Sequence, residues 1–135
     1  MNDKLTFVQP ESFAKPKGYS NGVITHGPTL YIAGQIGWSP QGVFEHKDLP
    51  GQFGQALDNV IAVVRAAGGT AASIAKMTVY VTDLDAYRNS LRECGQVWRE
   101  RMGKHFPAMA LVGVAGLVER EALIEIEAVA VLNQP

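Results

Sequence analysis

The sequence is poor in the residues that build disulfides and metal centres. Its 135 residues include one cysteine and three histidines. The lone Cys94 excludes an internal disulfide and is typical of a reducing compartment. None of these residues falls at a ligand-like spacing, which argues against a zinc site. We therefore expect a chain that holds no metal.

Long apolar runs and an excess of charge of one sign are also missing. Twelve basic residues balance thirteen acidic ones, for a formal net charge of −1. That balance gives no sign of a nucleic-acid footprint. No run reaches the length that spans a membrane, and the first residues lack the apolar core of a signal peptide. We predict a cytoplasmic protein that binds neither nucleic acid nor membrane.

What the sequence does contain is a succession of strand and helix patterns, in a length that suits one domain over residues 1–135. Helices are predicted over residues 50–67 and 84–102, and strands over residues 5–8, 23–25, 29–36, 76–82, 107–114 and 122–132. The strands at 23–25 and 29–36, separated by Gly27-Pro28, are predicted to form a hairpin. The order β-β-β-α-β-α-β-β predicts an α+β fold with both helices on one face of the sheet.

The last strand carries the main candidate for chemistry. Alternation places Ile124, Ile126, Ala128 and Ala130 on one face, and Glu125, Glu127, Val129 and Val131 on the other. Two carboxylates in so apolar a segment need water, a partner or a function. A half-exposed strand with its acids in solvent is the plain alternative. Because Leu123, Val129 and Val131 make this face too apolar for open water, we expect another subunit to cover it.

The second helix has an apolar stripe: Leu84, Tyr87, Leu91, Cys94, Trp98 and Met102. Four arginines lie mostly off this stripe: Arg88, Arg92, Arg99 and Arg101. Mixed with Glu93 and Glu100, they are interpreted as a solvated helix face.

Six short motifs in register resemble the RidA/YjgF family. They are Gly18-Tyr-Ser-Asn-Gly22, Ile32-Ala-Gly-Gln-Ile36, Leu57-Asp-Asn-Val60 with Ala66-Ala-Gly68, Val79-Tyr-Val-Thr-Asp-Leu84, Phe106-Pro-Ala108 and Ile124-Glu-Ile-Glu-Ala128. Each motif alone is weak. Together they identify the chain as a member from about residue 17 to residue 131.

The resemblance implies a chorismate-mutase-like fold that assembles as a homotrimeric barrel, with the sheets facing inward and the helices outside. It also implies ligand pockets in the clefts between subunits and no organic cofactor. The family's best-known activity is addition of water to enamines and imines such as 2-aminoacrylate. The products are ammonia and a 2-keto acid.

The resemblance also assigns site residues. Glu125 matches the catalytic glutamate that positions the attacking water, and the matching substrate-binding positions are Tyr19, Ala33, Gly34, Gln35, Leu91, Met109, Ala110 and Leu111. At position 109, active deaminases carry an arginine that clamps the substrate carboxylate through a planar fork of donors. Methionine has neither charge nor donor. Ala33, Leu91 and Leu111 likewise replace a serine, an asparagine and a cysteine.

These substitutions predict a poor site for small imino acids. We expect an enamine or imine deaminase-type hydrolase that acts on a small molecule other than 2-aminoacrylate. The alternative is a ligand-binding or protein-protective trimer without catalysis. Ribonuclease activity, a label attached to the family, comes third because no histidine pair or lysine cluster marks a phosphate site.

Overall fold

The structure, a computed structural model, describes residues 4–133, so the ends of the predicted domain lie outside the described residues. In chain order the elements are β1 (Leu5–Val8), β2 (Gly22–Thr25), β3 (Thr29–Ile36), α1 (Leu49–Ala66), β4 (Ile74–Val81), α2 (Leu84–Arg88), α3 (Leu91–Met102), β5 (Ala108–Gly113) and β6 (Ile124–Val131). None of the helices in this part of the chain is long and apolar enough to cross a membrane.

The main sheet has four strands in the order β3-β6-β4-β5. Strand β6 runs antiparallel to both β3 and β4, whereas β5 runs parallel to β4. A parallel pair needs a crossover connection, and α2 and α3 supply it. The predicted mixed α+β fold is thereby confirmed.

The predicted hairpin between residues 23–25 and 29–36 is wrong. Strand β2 pairs with β1 in a separate two-stranded sheet, and β3 pairs with β6. The reason lies in the link between them, where Gly27 has φ +124° and a Cβ at that position would lie 2.5 Å from the carbonyl oxygen of Leu132. This close approach and the hydrogen bond from Leu132 N–H to the Pro28 carbonyl, 2.9 Å, direct β3 along β6.

The core lies between α1, α3 and one face of the main sheet, as the alternation in the last strand predicts. Ile124, Ile126, Ala128 and Ala130 are all buried there with one stripe of α1. The side chain of Asp48 caps α1 by accepting from Gly51 N–H at 3.0 Å. Burial of these apolar side chains contributes about 25 cal/mol per Å² of surface removed from water, and it holds α1 and α3 to the sheet.

The second helix, predicted as continuous over residues 84–102, is divided at Asn89 and Ser90. The Ser90 hydroxyl donates to the Ala86 carbonyl at 2.8 Å, and Asn89 ends α2 as its C-cap. Serine and asparagine compete with helical backbone bonds in this way, which explains the break. The apolar stripe nevertheless continues into α3.

The opposite face of the sheet is partly covered by the chain itself. Val131, which we expected to contact another subunit, is buried against Leu5 and Ala75, with Val23 of β2 beside them. The small β1–β2 sheet therefore covers this end. Further along the same face Tyr31 is 80% exposed. Coverage of that remaining region by other subunits stays a prediction.

Candidate functional site

The main sheet separates the predicted site residues into two groups. Met109 and Leu111 of β5 pair with Met77 and Val79 of β4, whose side chains are buried on the helix side. Glu125 of β6 pairs with Tyr80 of β4 on the other side. Since side chains alternate along strands, one chain holds its catalytic candidate and its Met109 pocket on opposite faces.

The first group lines a cavity of about 300 Å³ between β4, β5 and the α2–α3 pair. Its walls are chiefly apolar and include Leu91, Met109, Leu111, Phe53, Trp98 and Phe106. The Trp98 ring stacks between Phe53 and Phe106, with ring centroids 6.4 and 6.1 Å away. Such a cavity suits a small organic ligand with an apolar body.

Polar groups at this cavity are few. Within the described residues, those without a strong partner are the phenol of Tyr87, the thiol of Cys94 and the guanidinium of Arg99, whereas the indole N–H of Trp98 donates to the His105 carbonyl at 3.2 Å. Burial raises the pKa of the Cys94 thiol, and a contact with the Ser90 hydroxyl opposes the change only in part. Burial likewise raises the pKa of Tyr87. Both groups therefore stay protonated at neutral pH and can act as neutral donors.

Tyr19, predicted to bind substrate, lies beside this cavity and is 40% exposed. Its neighbour Gly18 is part of the lining. On its other side, Ser20 forms an isolated bridge to Ala108 at the start of β5. Ser20 N–H donates to the Pro107 carbonyl at 3.0 Å, and its hydroxyl donates to the Phe106 carbonyl at 2.5 Å. These bonds hold the segment that carries Tyr19 against β5.

The second group surrounds Glu125 on the opposite face. The pairing of β3 with β6 shifts between Ile32 and Gln35, which leaves a bulge at Ala33 and Gly34. The carboxyl group of Glu125 lies directly over Gly34, where a Cβ would be 2.8 Å from the Glu125 Cδ atom. Gln35 Nε2 donates to the Ala33 carbonyl at 3.1 Å and so supports the bulge. A residue without a side chain is therefore needed at position 34.

The other acid of this strand, Glu127, has a different environment. Its carboxylate accepts a short hydrogen bond from the Tyr80 hydroxyl. That bond, with burial and the nearby charges of Glu127 and Glu125, raises the pKa of Tyr80 above its usual 10.0. Ala110 also belongs to this face, because it pairs with Thr78, the neighbour of Glu127. Ala110 is thus separated from Met109 and Leu111.

An amide from α1 fixes the start of β6 close to Glu125. The side chain of Gln52 is almost completely buried. Its Oε1 accepts from Leu123 N–H at 2.8 Å, and its Nε2 donates to the carbonyls of Glu121 and His46 at 2.9 and 3.2 Å. Both polar atoms of the amide are therefore paired, and the bonds to Glu121 and Leu123 position the backbone just before Glu125.

Reasoning from the sequence placed Tyr87 on the apolar stripe without a role, and so missed its place at the cavity. Arg99 is exposed, as its interpretation on a solvated helix face expects, but the sequence did not show that it also borders the cavity. No group of three or more His, Cys, Asp or Glu residues that could hold a metal ion occurs within residues 4–133.

Comparison with known proteins gives consistent results. Residues 10–132 match the sequence model of the family described as Endoribonuclease L-PSP. A RutC family protein of Pyrococcus horikoshii is 36% identical over 121 residues, which are 89% of this chain and 92% of that protein. The 2-iminobutanoate/2-iminopropanoate deaminase of Homo sapiens is 33% identical over 114 residues, covering 84% of this chain and 79% of the human protein.

Among solved structures, a protein of unknown function from Yersinia pestis, YyfB of the conserved Rid protein family, superposes with a TM-score of 0.84. The two share 34% sequence identity. The match covers 96% of this chain and 99% of the Yersinia chain. The likeness therefore extends over the main sheet and the helices.

Proposed function

Since this chain belongs to the RidA/YjgF family, also described as endoribonuclease L-PSP, we propose that it is a deaminase-type enzyme that hydrolyses enamines and imines. The observation that carries the proposal is the Glu125 carboxyl group, held over the side-chain-free Gly34 on a strand that Gln52 fixes. The name of the human relative, an imine deaminase, supports the same reaction class.

The reaction needs little machinery because an imine carbon is already electrophilic. Glu125 accepts a proton from a water molecule as the oxygen adds to that carbon. The same carboxyl group returns the proton to the imine nitrogen, which gives a carbinolamine. It then carries the hydroxyl proton of the carbinolamine to that nitrogen, the C–N bond breaks, and ammonia and the carbonyl product form. General acid–base catalysis of this kind contributes typically about 10²- to 10⁴-fold.

The division of the site between two faces leads us to propose that subunits share it. In a homotrimeric barrel, the face with Glu125 of one subunit would border the cavity of its neighbour. This arrangement unites the two groups of residues that the sheet separates within one chain. It also covers the exposed face around Tyr31, where a large aromatic side chain is otherwise in open water.

Met109 leads us to propose a substrate other than 2-aminoacrylate. The side chain contributes apolar surface to the cavity wall at the position where the resemblance implies a carboxylate clamp. A charge-assisted hydrogen bond is worth roughly 1.5–3 kcal/mol, so its absence should weaken binding of a small imino acid about tenfold or more. A larger substrate with an apolar body gains more from this wall.

A second candidate function is ligand binding without catalysis. It is favoured by the cavity's chiefly apolar lining, to which no carboxylate of the described residues contributes. One experiment separates the two. Imines are generated by amino-acid oxidases from a panel of amino acids, and carbonyl product is followed with purified protein. Glu127→Gln is the matched control, because it neutralises the neighbouring acid on the same strand.

We expect Glu125→Gln to lower turnover at least about 100-fold and to leave the assembly unchanged, because the amide keeps the size of the group but cannot accept a proton. Glu127→Gln should stay within a few-fold of the wild type. Turnover that survives in Glu125→Gln, or wild-type protein that accelerates no imine of the panel, would contradict the proposed function.

A further inference from the structure

Within residues 4–133 one cation borders the apolar cavity, and its side chain is also exposed to solvent. Arg99 of α3 is part of the lining. Two other arginines of this region are committed elsewhere: Arg101 Nε lies 2.8 Å from Asp58 Oδ1, and Arg88 Nη1 lies 3.3 Å from Asp85 Oδ1. Arg99 forms no ion pair with any acid among residues 4–133.

The side chain of Arg99 folds back over the residue one turn earlier, Gly95. Helical side chains lean toward the N-terminus, so residue 99 lies over residue 95. A Cβ at Gly95 would be 3.4 Å from Arg99 Nη1, which places the guanidinium over the bare backbone at the cavity. That distance is an ordinary contact, so the guanidinium packs closely on the helix at this point.

We propose that Arg99 is the residue of the cavity that anchors the anionic end of the substrate. The substrate class is then an imine or enamine whose apolar body ends in a carboxylate. The carboxylate pairs with the guanidinium of Arg99 at the mouth, and the apolar body lies against Trp98 and Met109. Arginine suits this role because its planar fork binds a carboxylate through two hydrogen bonds.

The other cavity groups fit the same ligand. The phenol of Tyr87 makes no hydrogen bond within the described residues, and its proton is retained because burial raises its pKa. It offers a neutral donor to the ligand's polar end. No carboxylate from residues 4–133 lines the cavity, so no acid of this part of the chain competes there for the guanidinium.

The inference rests on the proposed function for the reaction, but its test measures binding alone. Isothermal titration calorimetry compares 3-phenylpropanoate with the neutral 3-phenylpropanamide, on wild-type protein and on Arg99→Gln. Arg92→Gln is the matched control, because Arg92 is an exposed arginine of the same helix that does not line the cavity. Arg99→Lys tests whether charge without the fork is enough.

We expect the wild type to bind the carboxylate roughly ten- to a hundredfold more tightly than the amide. Arg99→Gln should remove that preference while the amide's affinity stays the same, Arg99→Lys should keep part of it, and Arg92→Gln should keep all of it. The inference is overturned if neither ligand binds, if the wild type shows no preference, or if Arg99→Gln retains it.

The two proposals can fail separately. Carboxylate binding that depends on Arg99, in a protein that hydrolyses no imine of the oxidase panel, would refute the proposed function and keep the anchor. The opposite result is turnover that depends on Glu125 but shows the same KM for carboxylate-bearing and neutral imines, both in the wild type and in Arg99→Gln. That result would refute the anchor and keep the function.

Discussion

Replacing Gly34 by alanine should remove most of the proposed imine hydrolysis without unfolding the protein. A Cβ at this position would lie 2.8 Å from Cδ and 3.1 Å from Cγ of Glu125. Non-bonded carbon atoms prefer about 3.5–4.0 Å, so the carboxyl group has to move by roughly 1 Å. A displacement of that size at a catalytic group can lower the rate about 100-fold.

The cost to folding should be small, because the half-buried Glu125 side chain can rotate away. An off-rotamer side chain costs about 0.5–1.5 kcal/mol, which sets the expected loss in the free energy of unfolding. The assay pairs imine turnover with thermal denaturation. Gly116→Ala is the control, since a Cβ there meets nothing within 4 Å. Full turnover in Gly34→Ala would refute the argument that Glu125 acts from this position.

Three further outcomes follow from the same contacts. Met109→Arg should raise turnover of 2-aminoacrylate-type imines at least about tenfold if the missing clamp alone limits them, and unchanged kinetics in a folded variant would contradict this. Gln52→Leu leaves the N–H of Leu123 and the carbonyls of Glu121 and His46 without their partner. Urea denaturation should show a free energy of unfolding lower by about 2–4 kcal/mol, and a loss below about 1 kcal/mol would contradict the assigned role. Burial lowers the pKa of His105 below its usual 6.5, and its bond to the Ile74 carbonyl opposes this change only in part. The buried neutral ring therefore contributes to stability above pH 6.5, and that contribution is lost as the pH falls toward the lowered pKa. The melting temperature should therefore fall between about pH 7.5 and about pH 5.5, and less so in His105→Gln.

Local patterns in the sequence predicted most of the elements. Helix α1 begins and ends within one residue of the predicted range, because Asp48 is a strong cap and Gly68, at φ +92°, ends it. The strict alternation of residues 124–131 correctly predicted which face of β6 is buried. These features depend on short-range chemistry, so a single sequence is enough to find them.

Features that depend on distant contacts were not predictable in the same way. The pairing of β3 with β6 is fixed at Gly27 by a carbonyl more than one hundred residues away. Burial of Val131 by Leu5 requires knowing where the first strand docks. The role proposed for Arg99 depends on a cavity that exists only after α3 has packed on the sheet.

The candidate site shows the same limit. The resemblance selected Glu125 and Met109 as parts of one site, but only the strand register shows that they lie on opposite faces of the sheet. That register turns a list of matched residues into a specific claim: the working site forms between two subunits. The claim can be tested without knowledge of the natural substrate.

The most direct test mixes two inactive variants. Glu125→Gln removes the acid, and Leu91→Trp fills the cavity from an exposed position on its rim. If each site combines the cavity of one subunit with Glu125 of its neighbour, dissociating and reassembling the two variants in equal amounts should restore about a quarter of wild-type turnover. Mixed trimers, verified by native mass spectrometry, that are no more active than either parent would contradict the account.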